Sequence, residues 1–162
     1  MVEKNAEPLL TQRVLDRIVQ SPHNLIVLDS VNVAETITQM RMLAMRGGTS
    51  VYAWDAESGI ASLRESGLHV PGSRRFGDAL RYVLQGVHFG IYLFVDAETH
   101  LRPGDTLLLR RISRMQSGNG RKLVFVGNRF ELPEELDGMF ERLAAGTESA
   151  HALRLRDGRW VQ

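Results

Sequence analysis

The sequence contains no cysteine, and it has no apolar run close to the ~20 residues that cross a bilayer. The first absence excludes disulfide bonds and thiolate metal sites. The second, with an N-terminal segment that lacks the apolar stretch of a signal peptide, predicts a cytoplasmic protein without membrane contact. Charge of one sign is not in excess either, because the net charge is only +1. No general attraction to nucleic acids or membranes is therefore expected.

A chain of 162 residues is long enough for one domain with a sizeable core. We expect residues 1–7 to be a flexible N-terminus and residues 8–162 to form a single α/β domain. Four short runs are apolar throughout, as strands buried on both faces are, and they alternate with helical patterns: Leu25–Leu28, Val51–Trp54, Ile91–Val95 and Leu123–Val126. This alternation predicts a three-layer α/β/α sandwich around a mostly parallel sheet of about five strands.

Three further segments have weaker patterns. Residues Ile60–Arg64 suggest a short helix, and Pro133 suits the first turn of a helix that continues through Leu143. Near the C-terminus, Asp157 and Gly158 stand between two apolar stretches, which predicts a hairpin. The methionines of the second predicted helix are assigned to the core in preference to a docking surface: Met40, Met42 and Met45.

Two of the apolar runs are followed by a polar residue, Asp96 after one and Asn128 after the other. The same arrangement is found in P-loop ATPases. In such enzymes these positions hold magnesium and sense the γ-phosphate. That chemistry also needs a glycine-rich loop whose backbone amides surround the phosphates. The turn after the first strand, residues 29–34, has no glycine and begins with Asp29. The sequence therefore predicts a protein that is not an enzyme and binds no cofactor.

The opposite interpretation is a nucleotide- or metal-dependent enzyme. Its candidate residues are Asp96, Glu98 and Asn128, as possible remnants of a nucleotide site. Asp96 and Glu98 would point the same way if the strand continued through both. The favoured interpretation is that Asp96 caps the following turn. Asn128 resembles a sensor amide, but we expect it to satisfy backbone groups of the turn through Phe130.

A basic patch supports a third interpretation, a nucleic-acid-associated module. Its members lie on one predicted helix and at its ends: Arg102, Arg110, Arg111, Arg114, Arg121 and Lys122. Arg74 and Arg75 are expected near the mouth of the same sheet. Such a patch could contact phosphates. The favoured interpretation is a solvated helix face that pairs in part with a run of acidic residues: Glu131, Glu134, Glu135, Asp137 and Glu141. The lack of aromatic residues beside the arginines argues against single-strand binding.

Several motifs occur in an order that resembles a known family. The resemblance extends from Asn24 to about Leu143, and its motifs are the strand and polar turn Leu25–Ser30, Tyr52-Ala53-Trp54-Asp55 with Gly59 close behind, Asp78–Tyr82, Gly90–Leu93 and Leu132-Pro133-Glu134-Glu135-Leu136. They resemble the N-terminal, non-catalytic region of AAA ATPases of the hypothetical-chloroplast-reading-frame type, found in bacteria and chloroplasts.

The resemblance implies a degenerate P-loop-like topology and a regulatory or docking role without a reaction. It implies a protein partner, an AAA ATPase in the first instance, and self-association into a homo-oligomer, because the family works as rings. We expect the AAA module itself to be absent from these 162 residues. The sequence does not identify the biological process.

Overall fold

A computed structural model describes residues 12–86, 88–116 and 120–145 of the chain. The strands are β1 (Leu25–Asp29), β2 (Val51–Asp55), β3 (Gly59–Ser62), β4 (Gly90–Val95), β5 (Arg121–Gly127) and β6 (Phe140–Ala144). The helices are α1 (helical over 12–20), α2 (Val33–Gly47), α3 (Phe76–Gln85), α4 (Ala97–His100), α5 (Asp105–Ser113) and α6 (Glu134–Asp137). None of the helices in these ranges is long and apolar enough to cross a membrane.

The strands form one open sheet in the order β3-β2-β4-β5-β1-β6. All neighbouring pairs are parallel except β2 and β3, which are antiparallel. The predicted α/β class with a mostly parallel sheet is thus confirmed. The position of β5 between β1 and β4 brings together the strand ends that the sequence comparison with P-loop ATPases singled out.

Helices cover both faces of the sheet. One face packs against α1 and α2, through side chains such as Ile18 and Met40. The other face packs against α3 and α5, through side chains such as Leu80 and Ile112. Strands β1, β4 and β5 are apolar on both faces because each lies between two helical layers.

Two sequence-based assignments are wrong. The segment predicted as a short helix at Ile60–Arg64 begins in strand β3, because the turn before it reverses the chain. Asp55 Oδ1 accepts hydrogen bonds from the backbone N–H groups of Glu57 and Ser58, and Gly59 follows with φ of 75°. This geometry sets β3 antiparallel to β2, and the described residues form a sheet of six strands where about five were expected.

The helix predicted from Pro133 to Leu143 is also wrong, because α6 ends at Asp137 and strand β6 follows. β6 pairs in parallel with the free edge of β1. Phe140 and Leu143 then pack into the cores on opposite faces of the sheet, which a single helix face could not achieve. The predicted C-terminal hairpin and the predicted flexible N-terminus lie outside the described residues.

Candidate functional site

The turn between β1 and α2 is closed by its own polar side chains. Asn32 is the N-cap of α2, and its Oδ1 accepts from the backbone N–H of Glu35 at 3.1 Å. Ser30 Oγ lies 2.7 Å from Thr36 Oγ1 and accepts from the backbone N–H of Asn32 at 3.2 Å. Side chains of the protein thus occupy donors that a phosphate would need, and Glu35 adds negative charge to the first turn. The turn leads into a helix N-terminus but has no glycine that would let a phosphate approach its backbone.

Asp29, the last residue of β1, adds a carboxylate beside this turn. Its Oδ2 lies 3.6 Å from the Arg142 guanidinium of the neighbouring strand. Its Oδ1 is buried and has no hydrogen-bond partner within the described ranges. The Arg142 guanidinium partly balances this charge, and a carboxylate here would disfavour a bound anion.

Asp96 and Glu98 follow β4, and strand geometry does not align their side chains. β4 ends at Val95, and Asp96 has φ of 59°, so the strand alternation that would align the two acids does not apply. Asp96 is the N-cap residue of α4, but its side chain makes no cap hydrogen bond, and its backbone carbonyl accepts from Thr99 Oγ1 at 2.9 Å. A Cβ placed on Gly127 would lie 3.9 Å from Glu98 Oε1. Glu98 therefore approaches the end of β5.

Asn128 follows β5 and is exposed. Its side chain makes no hydrogen bond among the described residues, so the predicted contacts to the backbone of its turn are not seen. The next residue, Arg129, has φ of 57°. Across the described part of the chain, no three His, Asp or Glu side chains are placed to hold a metal ion together.

Arg121 and Lys122, two members of the predicted basic patch, are buried at the start of β5. Arg121 is 7% exposed, and its Nη1 donates to the carbonyls of Val83 at 2.7 Å and Leu84 at 2.6 Å. These contacts cap the C-terminal end of α3, where helix carbonyls lack partners.

Lys122 has a similar role beside α1. It is 2% exposed, and its Nζ donates to the carbonyls of Ser21 at 2.5 Å and His23 at 2.8 Å. Burial lowers the pKa of the Lys122 ammonium, and the nearby Glu141 acts in the opposite direction. Lys122 and Arg121 are therefore internal supports and do not belong to an exposed patch.

The remaining members of the patch lie at two separate ends of α5. Arg110, Arg111 and Arg114 are exposed in the last turn and just after it. Arg102 precedes the helix, at the edge of the sheet where β4 ends. Nine helical residues separate the two ends by about 13 Å, since a helix rises 1.5 Å per residue.

Arg102 instead lines a cleft with arginines of another segment. We define the arginine cleft by its lining residues: Arg74, Arg75, Phe76, Gly77, Asp78, Arg81, His100, Arg102 and Asp105. Its volume is about 550 Å³. The cleft lies between the N-terminal end of α3 and the segment that joins α4 to α5.

The segment that carries Arg74 and Arg75 is held by Ser73. Trp54 Nε1 donates to the Ser73 carbonyl at 2.8 Å, and the Ile60 backbone N–H donates to Ser73 Oγ at 2.8 Å. Ser73 Oγ in turn donates to the Val70 carbonyl at 2.7 Å. The Trp54 ring is 1% exposed. The Trp-Asp motif noted in the sequence thus fixes the position at which α3 begins.

Gly59 belongs to the same support. A Cβ on this residue would lie 2.6 Å from Ser73 Oγ and 3.2 Å from the Ser73 carbonyl carbon, and φ at Gly59 is +75°. Only glycine allows the β2–β3 turn to approach Ser73 so closely.

Sequence reasoning placed Arg74 and Arg75 near the sheet edge but did not identify Arg81, His100 or Asp105 as their neighbours. One local signal existed for Arg81, because it lies three residues after Asp78 and pairs with it at 2.9 Å. The position of His100 has no signal in the sequence. Its ring meets Trp54 edge-on, with centroids 5.2 Å apart, and this contact depends on the tertiary fold.

No curated protein sequence matches the chain. A family model described as the N-terminal domain of SpoVK-like AAA ATPases matches residues 11–145. This range includes all six strands and the residues of both the β1 turn and the arginine cleft. The chain therefore belongs to the family of SpoVK-like AAA ATPase N-terminal domains.

Proposed function

We propose that this domain is a non-catalytic binding domain that serves an AAA module through protein contacts and hydrolyses no nucleotide itself. The observation that carries the proposal is the β1 turn, where Asn32 and Ser30 satisfy backbone groups and no glycine opens a path to a phosphate. A sheet of this kind without a phosphate cradle retains the scaffold of the fold and loses the means to position ATP.

Exposed methionines on α2 support protein binding. The sequence assigned all three methionines of this helix to the core, and the structure buries only Met40. Met42 and Met45 are 50% and 62% exposed, three residues apart on one side of the helix. Flexible thioether side chains suit contact surfaces that must adapt to a partner. We assign the AAA module as that partner, because the family is defined by its association with one.

A melting experiment with ATP and magnesium tests the non-catalytic part of the proposal. A ligand at 100 times its dissociation constant stabilises its protein by about 2.7 kcal/mol, which raises Tm by roughly 5–10 °C in a protein of this size. We expect no such rise from a site at the β1 turn, and no ATP hydrolysis above background. A rise that persists after Arg74→Gln and Arg102→Gln together would place a nucleotide outside the arginine cleft and contradict the proposal.

A binding experiment with the purified AAA module of a SpoVK-like ATPase tests the partner. We expect Met42→Glu with Met45→Glu to weaken binding at least tenfold without a change in Tm. The matched control is Leu107→Glu, since Leu107 is 65% exposed on α5 on the opposite side of the sheet. We call Met42 and Met45 the methionine surface. Equal affinity of the wild type and the double variant would refute this surface as the contact.

Nucleic-acid binding and self-association stay alternatives with simple tests. The exposed arginines of the last turn of α5 and just after it, Arg110, Arg111 and Arg114, remain available to phosphates. Oligonucleotide binding at low salt that falls steeply as salt rises would favour a nucleic-acid module. Light scattering at several concentrations reports the oligomeric state, and a monomer at all concentrations would remove the homo-oligomer.

A further inference from the structure

We propose that the arginine cleft binds the phosphate groups of a small phosphorylated ligand. This site differs from the phosphate position of a P-loop enzyme, because it lies at the N-terminal end of α3 and not at the β1 turn. The inference is independent of the partner assigned above. It rests on the charges, the space and the rigid support of the cleft.

Charge is the first argument. Four arginines and two aspartates line the cleft, so its formal charge is +2 with His100 neutral. Asp78 is already paired with Arg81 at 2.9 Å. Asp105 Oδ2 accepts from the backbone N–H of Arg102 at 3.0 Å. Asp78 is thus neutralised by Arg81, whereas Asp105 keeps its charge and lowers the positive charge of the cleft without cancelling it.

Three guanidinium groups remain without an acidic partner. No ion pair within 4.0 Å is found, among the described residues, for the guanidinium groups of Arg74, Arg75 and Arg102. They come from segments about 27 residues apart in sequence, and the fold directs them to one cavity. Their side chains are exposed, so their mutual repulsion is weak in water, and an anion held between them would remove it.

Backbone N–H groups at the start of α3 add hydrogen-bond donors that also carry partial positive charge. Helix α3 has ten residues, and Arg75 at its N-cap makes no side-chain cap hydrogen bond. The first-turn amides are thus not satisfied by a capping side chain, and the helix dipole favours an anion beside them. Gly77 lies within this turn and lines the cleft. A Cβ on Gly77 would lie 3.4 Å from Asp105 Oδ1 and 3.7 Å from Arg81 Nη1, so a phosphate at this turn would lie near Arg81 and beside the Asp105 carboxylate.

The backbone that carries two of the arginines is held in place by buried contacts. Arg74 and Arg75 directly follow Ser73, which is 2% exposed and is held by Trp54 and Ile60. The start of α3 is therefore fixed before a ligand arrives, which lowers the entropic cost of binding. The volume of about 550 Å³ lies within the range of roughly 300–1,000 Å³ typical of small-molecule sites.

Phosphate fits these donors better than a carboxylate. One guanidinium group satisfies a carboxylate through two parallel hydrogen bonds. Three unpaired guanidinium groups and a helix N-terminus exceed that need. A phosphate or diphosphate carries more charge and more acceptor oxygens, and it can use several arginines together.

Calorimetric titration with pyrophosphate at low ionic strength tests the proposal. We expect saturable binding to the whole chain with a dissociation constant below about 1 mM. Arg74→Gln combined with Arg102→Gln should weaken binding at least tenfold. Arg110→Gln combined with Arg114→Gln is the matched control, because it removes the same charge from the other end of α5 and should change the affinity less than twofold. Both double variants should keep the wild-type Tm, since all four side chains are exposed.

A second measurement locates the ligand. In two-dimensional NMR spectra, pyrophosphate should shift the amide signals of Gly77 and Asp78 in the wild type and not in the cleft variant. A dissociation constant above about 1 mM, or an equal loss in the control variant, would overturn the proposal. Tighter binding of hexaglutamate or of a single-stranded oligonucleotide than of pyrophosphate would also overturn it, in favour of a protein or nucleic-acid ligand.

Discussion

Substitution Lys122→Met tests whether the buried ammonium group supports the fold. Methionine keeps the length and most of the apolar stem of the side chain and removes the charge. The carbonyls of Ser21 and His23 then lose the donor that now lies 2.5 and 2.8 Å away. The substitution thus isolates the charge-assisted hydrogen bonds from packing.

The expected loss follows from two opposing contributions. A hydrogen bond to a charged group contributes about 1.5–3 kcal/mol, so two bonds contribute about 3–6 kcal/mol. Removal of the ammonium also ends the desolvation cost of burying it, which is several kcal/mol before compensation and which lowers the Lys122 pKa. We expect a net loss of about 1–3 kcal/mol in the free energy of unfolding.

Urea unfolding measures this loss. With a slope of about 2 kcal/mol per molar, a loss of about 2 kcal/mol lowers the midpoint by about 1 M. Arg110→Met is the control, because it removes an exposed arginine on α5 and should change stability by less than about 0.5 kcal/mol. A Lys122→Met midpoint equal to or above that of the wild type would refute the supporting role of the ammonium group.

Three further predictions concern glycine positions and pH. Gly59→Ala should lower the free energy of unfolding by at least about 2 kcal/mol, because φ is +75° and the new Cβ would lie 2.6 Å from Ser73 Oγ; unchanged urea unfolding would contradict this. Gly77→Ala should raise it by about 0.4–1 kcal/mol, since the new Cβ meets only side-chain atoms at 3.4 Å or more and the unfolded chain loses freedom; a loss of stability would show that the site is more crowded than described. Burial raises the pKa of Tyr92 above 10.0, so the folded state holds this proton to higher pH than the unfolded state, and stability should fall as pH rises above 10. Tyr92→Phe should make that fall less steep in urea midpoints from pH 8 to 11, and an unchanged slope would exclude Tyr92 as its source.

Strand composition explains why the sheet could be predicted from sequence. The runs that became β1, β4 and β5 are apolar on both faces, and only a sheet covered by two helical layers buries such runs. The number and pairing of the edge strands could not be read in the same way. In β6 only Phe140 and Leu143 are buried, a spacing of three that also suits a helix, and its pairing with β1 links segments more than 100 residues apart.

The turn after β1 and the buried residues Arg121 and Lys122 also differ in how far they could be predicted from sequence. The expectation that no phosphate cradle follows β1 rests on local information, because it depends on the few consecutive residues around Asn32. The burial of Arg121 and Lys122 is not local, because their carbonyl partners belong to α3 and to the segment after α1. A count of arginines along one predicted helix could not separate these supports from the exposed residues.

The position of α2 and α3 on opposite faces of the sheet has a consequence for the two proposals. Met40 of α2 packs into the core of one face, and Leu80 of α3 packs into the core of the other. The methionine surface and the arginine cleft therefore lie on different sides of the central strands, with no shared side chain. An anion in the cleft could influence a partner on α2 only through a shift of the sheet itself, and β4 and β5 are its most deeply buried strands. Because close-packed cores resist continuous deformation, binding at the two surfaces should be energetically independent.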